Sequence, residues 1–184
     1  MSIARLDAAL ADAARGDEAA IACLYRELNP RLLRYLRHHV GPVAEDVASD
    51  VWLGLASQLS DFDGTFASFR ALMFAVARRR VIDRYRRDGS RVALVSLDAA
   101  FDRADAIDAE TEAVEHLTAQ AAVEALTRAL PAEQAEIVLL RVLGELDVAE
   151  VAAIVGKSEG AVRIAQHRAF QRLQRRFDRN VVTR

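Results

Sequence analysis

A turn followed by cationic side chains lies near the end of the chain and has the residue types needed to contact a nucleic acid. Ala152, Gly156 and Val162 stand at offsets of four and six residues, which is the spacing of a helix-turn-helix unit. The small residue lets two helices approach closely, the glycine can adopt the positive φ of the turn, and the valine anchors the second helix. Ser158 is predicted to cap that second helix.

The predicted second helix of this unit presents polar and cationic side chains. Side chains near the start of such a helix reach base edges in the major groove, whereas cations farther along contact phosphates. An alternative is a helical hairpin in a bundle, with its arginines in solvent. The coincidence of turn, cap and basic helix favours DNA binding. The candidate residues are Ser158, Arg163, Gln166, His167, Arg168 and Arg172.

The net charge of −2 conceals an uneven distribution of charge along the chain. Residues 78–87 and residues 163–179 each contain six arginines and one acidic residue. Residues 91–118, between them, contain two arginines and seven acidic residues. Two separated cationic segments around an anionic connector indicate contact with a polyanion at two places.

The composition predicts an all-α fold. Hydrophobic residues make up 52% of the chain but aromatic residues only 6%, and there are 8 glycines and 3 prolines, which is typical of helix bundles. The domains are predicted as an N-terminal helix bundle at 1–88, an acidic linker at 89–110 and a C-terminal four-helix domain containing the helix-turn-helix at 111–184. Helical spacing predicts N-terminal helices over 2–15, 17–40 with an interruption at Asn29-Pro30, 43–59 and 67–87, with a loop at 60–66.

Several classes of protein are disfavoured. The single cysteine, Cys23, excludes an intramolecular disulfide and a multi-cysteine zinc site, and it is interpreted as a small apolar core residue rather than a redox thiol. The first twenty residues carry four acids and no apolar core of a signal peptide, and no apolar run approaches the roughly 20 residues of a membrane span. The four histidines fall on three predicted helices, with the adjacent His38 and His39 on different sides of one, and no catalytic motif is recognised, so neither an enzyme nor a bound metal or cofactor is expected.

Two long segments resemble the extracytoplasmic-function sigma factors, which are promoter-recognition subunits of bacterial RNA polymerase. The C-terminal segment ALPAEQAEIVLLRVLGELDVAEVAAIVGKSEGAVRIAQHRAFQRL is similar to their promoter-binding domain. The N-terminal segments LYRELNPRLLRYLRHHVG, AEDVASDVWLGLASQLSDFDG and FRALMFAVARRRVIDRYRR are similar to their N-terminal domain. The two matches lie in the family's order and cover nearly the whole chain. The resemblance implies an alternative sigma factor that binds core polymerase and directs initiation through −10 and −35 contacts.

The resemblance also implies roles for individual residues. AEDVASDVW matches the helix that docks on the polymerase clamp coiled coil, with Asp46, Asp50, Trp52 and Leu53 as core-binding candidates; the alternative is that Trp52 is a core residue. SDFDGTF matches the loop that captures a −10 base; the alternative is that its two aromatic residues plug the end of the helix bundle. The basic helix after it matches the helix that lies along the −10 DNA. The −10 candidates are Phe62, Asp63, Phe66, Arg78, Arg79, Arg80, Arg84, Arg86 and Arg87. Arg163, His167 and Arg168 fall where the family reads −35 bases.

The chain departs from the family pattern at three places. Ser49 replaces a glutamine of the clamp-binding helix, and Arg79 replaces an asparagine of the basic helix. Arg163-Ile164-Ala165-Gln166 replaces a Lys-Ser-Arg-Leu run, which puts the −35 preference in doubt. The resemblance further implies a linker that threads the polymerase near the RNA exit path, and an anti-sigma partner that can hold this cytoplasmic protein at the membrane. A one-domain regulator that binds an operator without polymerase is the main alternative.

Overall fold

The computed structural model describes the backbone of residues 2–87 and 113–182 and the side chains of 2–87 and 119–176, so the acidic linker predicted at 89–110 lies outside the described residues. The chain divides into two compact units, Met1–Ile82 with Leu143–Leu146 and Asp83–Val142 with Asp147–Arg184. Over the described ranges no strand occurs, and the all-α fold class is confirmed. The helices are α1 (Ile3–Ala14), α2 (Glu18–Val40), α3 (Ala44–Ala56), α4 (Phe66–Arg87), α5 (Ala113–Thr127), α6 (Ala132–Val142), α7 (Val148–Val155) and α8 (Glu159–Val182).

The N-terminal unit is built around one row of leucines on α2. These residues recur every four positions and are at most 1% exposed: Leu24, Leu28, Leu32 and Leu36. Helices α1 and α3 pack on α2. Helix α4 reaches it through Phe74, whose ring meets the buried ring of Tyr35 edge to face at 5.4 Å between centroids. This continuous apolar core holds the surface residues of α3 and α4 in place.

The prediction that Asn29-Pro30 interrupts the second helix is wrong. Helix α2 runs unbroken from Glu18 to Val40 with Pro30 inside it. A proline in a helix interior removes a backbone hydrogen bond and crowds the preceding turn, at a cost of about 3 kcal/mol. The burial of Leu28 and Leu32 offsets this cost, because a fully buried leucine contributes about 1.5–3 kcal/mol. The Asn29 amide does not cap a new helix; it accepts a hydrogen bond from the Trp52 indole.

Other predicted boundaries in the N-terminal unit need smaller corrections. Helix α3 ends at Ala56, three residues before the predicted end, and a short 3-10 turn at Leu59–Asp61 spans the predicted boundary between helix and loop. Helical spacing predicts that Leu72 and Val76 of α4 lie in the core, but both are half-buried at its margin, and the buried stripe runs through Met73, Phe74 and Ala77. Phe74, which packs edge to face on the Tyr35 ring, is fully buried.

The C-terminal unit surrounds helix α6. Its residues Ile137 and Leu140 are fully buried, and α5, α7 and α8 each pack against α6. Val151 and Ala152 of α7 are buried, as is Val162 of α8. The predicted anchors Ala152 and Val162 of the helix-turn-helix therefore lie in the core. Val148 and Val155, also predicted to be buried, are only half-buried.

The turn of the helix-turn-helix has the predicted conformation. Gly156 adopts φ 71° and ψ 36°, in the left-handed region, and its N–H donates to the Ala152 carbonyl. The Ser158 hydroxyl accepts a hydrogen bond from the Ala161 N–H at 3.2 Å, which confirms the predicted cap of α8. Asp147 caps the preceding helix, and its side chain and that of Glu150 bond reciprocally to each other's backbone N–H groups. Both ends of the turn are thus held by specific hydrogen bonds.

We expect Gly156→Ala to lower the free energy of unfolding by about 1–2 kcal/mol, because a Cβ is disfavoured at the positive φ of this turn. Denaturant unfolding followed by circular dichroism measures the effect. The matched control is Gly160→Ala, four residues farther on in α8, where φ is not positive and no atom lies within 4 Å of the added Cβ. The control should leave stability unchanged or raise it. Equal stability of the Gly156 variant and the wild type would contradict the conformational argument.

Candidate nucleic-acid interface

The first three turns of α8 separate a buried face from an exposed one. The side chains that pack into the unit recur three to four residues apart and are Val162, Ala165, Ala169 and Leu173. The opposite face is solvent-exposed and carries Gly160, Arg163, Ile164, His167 and Arg168. Three of the predicted base-reading residues therefore share one accessible helix face. Such a face is what a recognition helix presents to the major groove.

The other predicted −35 residues lie at the edges of this face. Gln166 is half-buried at the margin of the packed side, and Arg172 is exposed on the next turns of α8. Ser158 is exposed, with its hydroxyl engaged as the helix cap. Lys157, in the turn itself, forms an ion pair with Glu133 of α6 at 2.8 Å, Nζ to Oε1, which ties the turn to the body of the unit.

Two of the exposed recognition residues have partners on their own helix. The Arg163 guanidinium forms an ion pair with the Glu159 carboxylate one turn earlier, at 2.8 Å between Nη2 and Oε2. A ring nitrogen of His167 lies 2.9 Å from the Gln171 amide nitrogen. Both pairs are solvent-exposed, and exposed ion pairs contribute little to stability. Arg163 can therefore leave Glu159 for a guanine or phosphate at small cost.

We expect Glu159→Gln to raise promoter affinity several-fold, because it removes a negative charge that would face DNA phosphates and releases Arg163. Equilibrium binding of the variant together with core RNA polymerase, at two salt concentrations, measures the change. The matched control is Glu124→Gln in α5, since Glu124 pairs with Arg128 at the same i, i+4 spacing and similar exposure. Unchanged or weaker promoter binding by the Glu159 variant would contradict this expectation.

The basic half of α4 forms a second cationic surface. Arg79, Arg80, Arg86 and Arg87 are exposed, whereas Arg78 and Arg84 are half-buried. Asp83 contacts two of these arginines, with its carboxylate 3.6 Å from Arg86 and its carbonyl oxygen 3.4 Å from the Arg87 Nε.

The phenol of Tyr85 lies within this basic segment. Burial raises the pKa of the Tyr85 phenol, so the group is neutral at physiological pH. The segment accordingly carries four solvent-exposed arginines and one acidic residue, and its net charge suits a phosphate backbone.

The structure divides the predicted base-capturing loop into accessible and buried residues. Asp63 is exposed, and Phe62 is half-buried with its ring edge-on to Phe69 at 5.3 Å. Gly64 is needed beneath that ring, since a Cβ there would stand 3.0 Å from it. Phe66, which the sequence placed in the loop, is the first residue of α4 and is 4% exposed. Phe66 is therefore a core residue in this structure, and it is not accessible to a base.

Helix α4 begins at Phe66 because two side chains bind its free N–H groups. The Asp7 carboxylate of α1 accepts a hydrogen bond from the Phe66 N–H at 2.7 Å. The Thr65 hydroxyl accepts one from the Ser68 N–H at 3.2 Å. A threonine three residues before Ser68 can be recognised in the sequence as a local helix cap. The contact of Asp7 with Phe66 spans 59 residues and cannot be predicted from the spacing of residue types along the chain.

The residues of α3 that are predicted to bind core polymerase lie on two different sides of the helix. Asp46, Asp50 and Leu53 follow one another at spacings of four and three residues and share an exposed face, with Leu53 70% exposed. Trp52 is half-buried and points toward α2, where its indole N–H donates to the Asn29 amide oxygen at 3.0 Å. Its ring contacts Tyr25 at 5.1 Å between centroids. The structure therefore brings three of the four candidates together.

Sequence reasoning missed the side chains of α2 that hold Trp52. Ile21 and Tyr25 stand one turn apart on α2 and are 40% and 47% exposed, and Asn29 follows one turn later. Their i, i+4 spacing is visible in the sequence. An apolar cavity of about 230 Å³ lies beside them, lined in part by Ile21, Leu24 and Trp52. These residues extend the apolar surface at the junction of α2 and α3.

Sites of two other kinds were sought. Across residues 2–87 and 119–176, whose side chains the structure describes, no three histidine, cysteine, aspartate or glutamate side chains converge in a way that suits a metal ion. Among the helices described, none combines the length and the apolar character needed to cross a membrane. The single cysteine, Cys23, lies half-buried on α2.

Comparison with known proteins places both helical units in one family. The Sigma-70 region 2 family matches residues 24–91, and the Sigma-70 region 4 family matches residues 120–173. The chain is 35% identical over 176 residues to the ECF RNA polymerase sigma factor SigD of Mycobacterium tuberculosis, across 92% of this chain and 82% of the relative.

Solved structures agree on the fold. The structure of CnrH in complex with the cytosolic domain of CnrY has a TM-score of 0.61 at 22% identity, covering 94% of this chain and 97% of that one. RpoE of Bartonella quintana, solved with the anti-sigma factor NepR, also has a TM-score of 0.61 at 22% identity, covering 86% and 94%. With a basic recognition helix and family matches at both ends, this chain belongs to the extracytoplasmic-function sigma factors of bacterial RNA polymerase.

Proposed function

We propose that this sigma factor attaches to core RNA polymerase through α3, recognises the −35 element through α8 and engages the melted −10 strand through α4 and the loop before it. The observation that carries this proposal is the exposed face of α8, held in position by the Gly156 turn and the Ser158 cap. The chain forms no covalent bond in this scheme. Its work is to position and stabilise DNA for the polymerase.

The −35 contact is supported by the distribution of polar side chains on α8, some of which lie on the fully exposed face and others at its margins. Arg163, His167 and Arg168 lie on the face opposite the core, where they reach base edges without disturbing the fold. Arginine binds O6 and N7 of guanine with two hydrogen bonds in the major groove. Arg172, Ser158 and Gln166, at the margins, are proposed to contact phosphates and fix the register of the helix.

The −10 contact is supported by the exposed arginines of α4 and by a partly accessible aromatic ring in the loop that precedes this helix. We assign phosphate contacts to the arginines of this segment, namely Arg78, Arg79, Arg80, Arg84, Arg86 and Arg87. Phe62 and Asp63 are the members of the loop that a flipped base can reach, because Phe66 lies in the core. A base taken out of the stack is held by ring stacking and a few polar groups.

The contact with core polymerase is supported by an exposed leucine that follows two acidic side chains on the same face of α3. Leu53 exposes 70% of its surface on the face that carries Asp46 and Asp50. An apolar anchor ringed by charges is the usual form of a docking site, and acids on this face suit a basic partner helix. Trp52 lies to one side of this face, at the α2–α3 junction, where it contacts Tyr25 and Asn29. We assign it a contact at the edge of the polymerase interface.

Four features are proposed by analogy with the family. The domains are assigned as 1–88 for core binding and −10 recognition, 89–110 as the acidic linker and 111–184 for −35 recognition. The linker is assigned to the polymerase near the RNA exit path, since its acids suit a channel built for RNA. An anti-sigma partner is proposed to hold the chain inactive. The chain is proposed to act in the cytoplasm, and that partner can tether it to the membrane.

Run-off transcription with purified core polymerase tests the proposed function. Genomic DNA of the organism that encodes the chain serves as template, and initiation at discrete sites is expected only when chain and core polymerase are both present. The alternative, an operator-binding regulator, predicts tight binding to duplex DNA without polymerase. Absence of both core binding and promoter-dependent initiation would overturn the assignment.

A further inference from the structure

Ile164 is an exposed apolar side chain in the first two turns of α8. It is 55% exposed and is flanked by Arg163, His167 and Arg168. A single exposed apolar residue is ordinary on a protein surface, so exposure alone carries no conclusion. The position of Ile164 does support a conclusion, because its neighbours on the exposed face of α8 are proposed to contact base edges. Ile164 is the sixth residue of α8, within the turns that enter a groove.

The Ile164 side chain is not part of the buried core of its unit. Val162 and Ala165, on either side of it in the chain, are buried, as is Ala169 farther along. Ile164 therefore points away from the hydrophobic core. A β-branched residue is also a weaker helix former than alanine at an exposed position. Neither packing within the unit nor helix propensity explains an isoleucine at this position.

Gly160 leaves open space in front of Ile164. A side chain on a helix leans toward the helix N-terminus and covers the turn before its own Cα, so Ile164 leans over position 160. A Cβ on Gly160 would meet no atom within 4 Å, so internal packing does not require glycine there. The missing side chain leaves the γ and δ methyl groups of Ile164 accessible to a partner that approaches the first turns of α8.

The major groove offers one apolar group to such a side chain, the C5-methyl of thymine. We propose that Ile164 contacts a thymine methyl in the −35 element and so selects a T·A pair at one position. Arg163 and Arg168, on either side, are suited to guanines next to it. This inference rests on the proposed −35 contact of α8 and deepens it, since it names the base that an otherwise unexplained residue reads.

The test uses the holoenzyme formed from core polymerase and the full chain. Duplexes with a randomised −35 region are selected for binding, once with thymidine throughout and once with deoxyuridine, which lacks the methyl and pairs identically. We expect a thymine to be enriched at one position in the first library and this preference to vanish in the second. Replacing that dT by dU in one selected duplex should weaken binding about fourfold, the factor for one buried methyl group.

Variants then assign the effect to Ile164. We expect Ile164→Ala to weaken binding to the dT duplex about as much as removal of the thymine methyl weakens binding by the wild type. The variant holoenzyme should bind the dT and dU duplexes equally. Gly160→Ala should also reduce methyl discrimination, although it does not destabilise the fold. The control is Val142→Ala on α6, which is 54% exposed and should discriminate like the wild type.

Three outcomes would overturn the inference. Wild-type holoenzyme that depends on a −35 element but binds dT and dU duplexes equally at every position contradicts the methyl contact and leaves the proposed function standing. If the Ile164→Ala variant still binds the dT duplex more tightly than the dU duplex, another residue contacts the thymine methyl. Holoenzyme that binds core polymerase yet shows no −35 dependence removes both the inference and the proposed role of α8.

Discussion

Replacing Arg163 and Arg168 with alanine is expected to reduce −35-dependent initiation about 100-fold or more while core polymerase is still bound. Each bidentate contact between an arginine and a guanine contributes about 1–3 kcal/mol of discrimination, and about 1.4 kcal/mol corresponds to a factor of ten. The two side chains are exposed on α8, and the ion pair of Arg163 with Glu159 is 64% and 48% exposed. The variant should therefore fold normally.

The measurement is run-off transcription from templates with an intact and a scrambled −35 element. Wild-type chain should prefer the intact template, whereas the double variant should use both at the same low rate. Arg128→Ala, at the residue that follows α5, is the matched control, because Arg128 is 62% exposed and also pairs with a glutamate one turn away. Loss of core binding in the double variant would contradict the assignment of α8 to DNA.

Leu53→Asp is expected to weaken binding to core polymerase on the order of 100-fold, because a buried apolar anchor contributes 2 kcal/mol or more to an interface and a carboxylate there is left unpaired. Leu53 exposes 70% of its surface in the free chain, so the change adds no buried charge to the folded protein. Fluorescence anisotropy of labelled chain titrated with core polymerase measures the loss. The −35 face of α8 is unchanged in this variant.

A matched control separates docking from a general effect of added charge. Ile3→Asp on α1 introduces an aspartate at another apolar residue that is 70% exposed. It should leave the affinity for core polymerase within about twofold of that of the wild type. Circular dichroism and thermal unfolding should be indistinguishable among the three proteins. Wild-type core affinity in Leu53→Asp, or an equal loss in Ile3→Asp, would remove α3 from the interface.

The recognition unit was the part of this fold most open to sequence reasoning. Its determinants are local: Gly156 supplies the positive φ, Ser158 bonds to an N–H three residues away, and Ala152 and Val162 lie within one hairpin. Because each of these interactions spans a few residues, the spacing of residue types predicted the turn, the cap and the core anchors. The predicted DNA contacts of α8 remain predictions.

The N-terminal unit shows where local signals fail. Asn29-Pro30 is a strong sign of a helix boundary, yet α2 continues because leucines on both sides of the proline are buried by neighbouring helices. The sequence places Phe66 in a loop, but the Asp7 carboxylate accepts a hydrogen bond from its backbone N–H at the start of α4, and its ring lies in the core. Both results depend on contacts between residues far apart in sequence.

The sequence by itself determined the all-α class, the two cationic segments, the helix-turn-helix and the family, since these follow from composition, charge and short-range spacing. Only the tertiary structure decided which candidates share a surface. Neighbouring helices place Leu53 with Asp46 and Asp50, turn Trp52 toward Asn29 and bury Phe66. The physical reason is that burial of apolar area depends on all the elements that meet, whereas a cap or a turn depends on the few residues that form it.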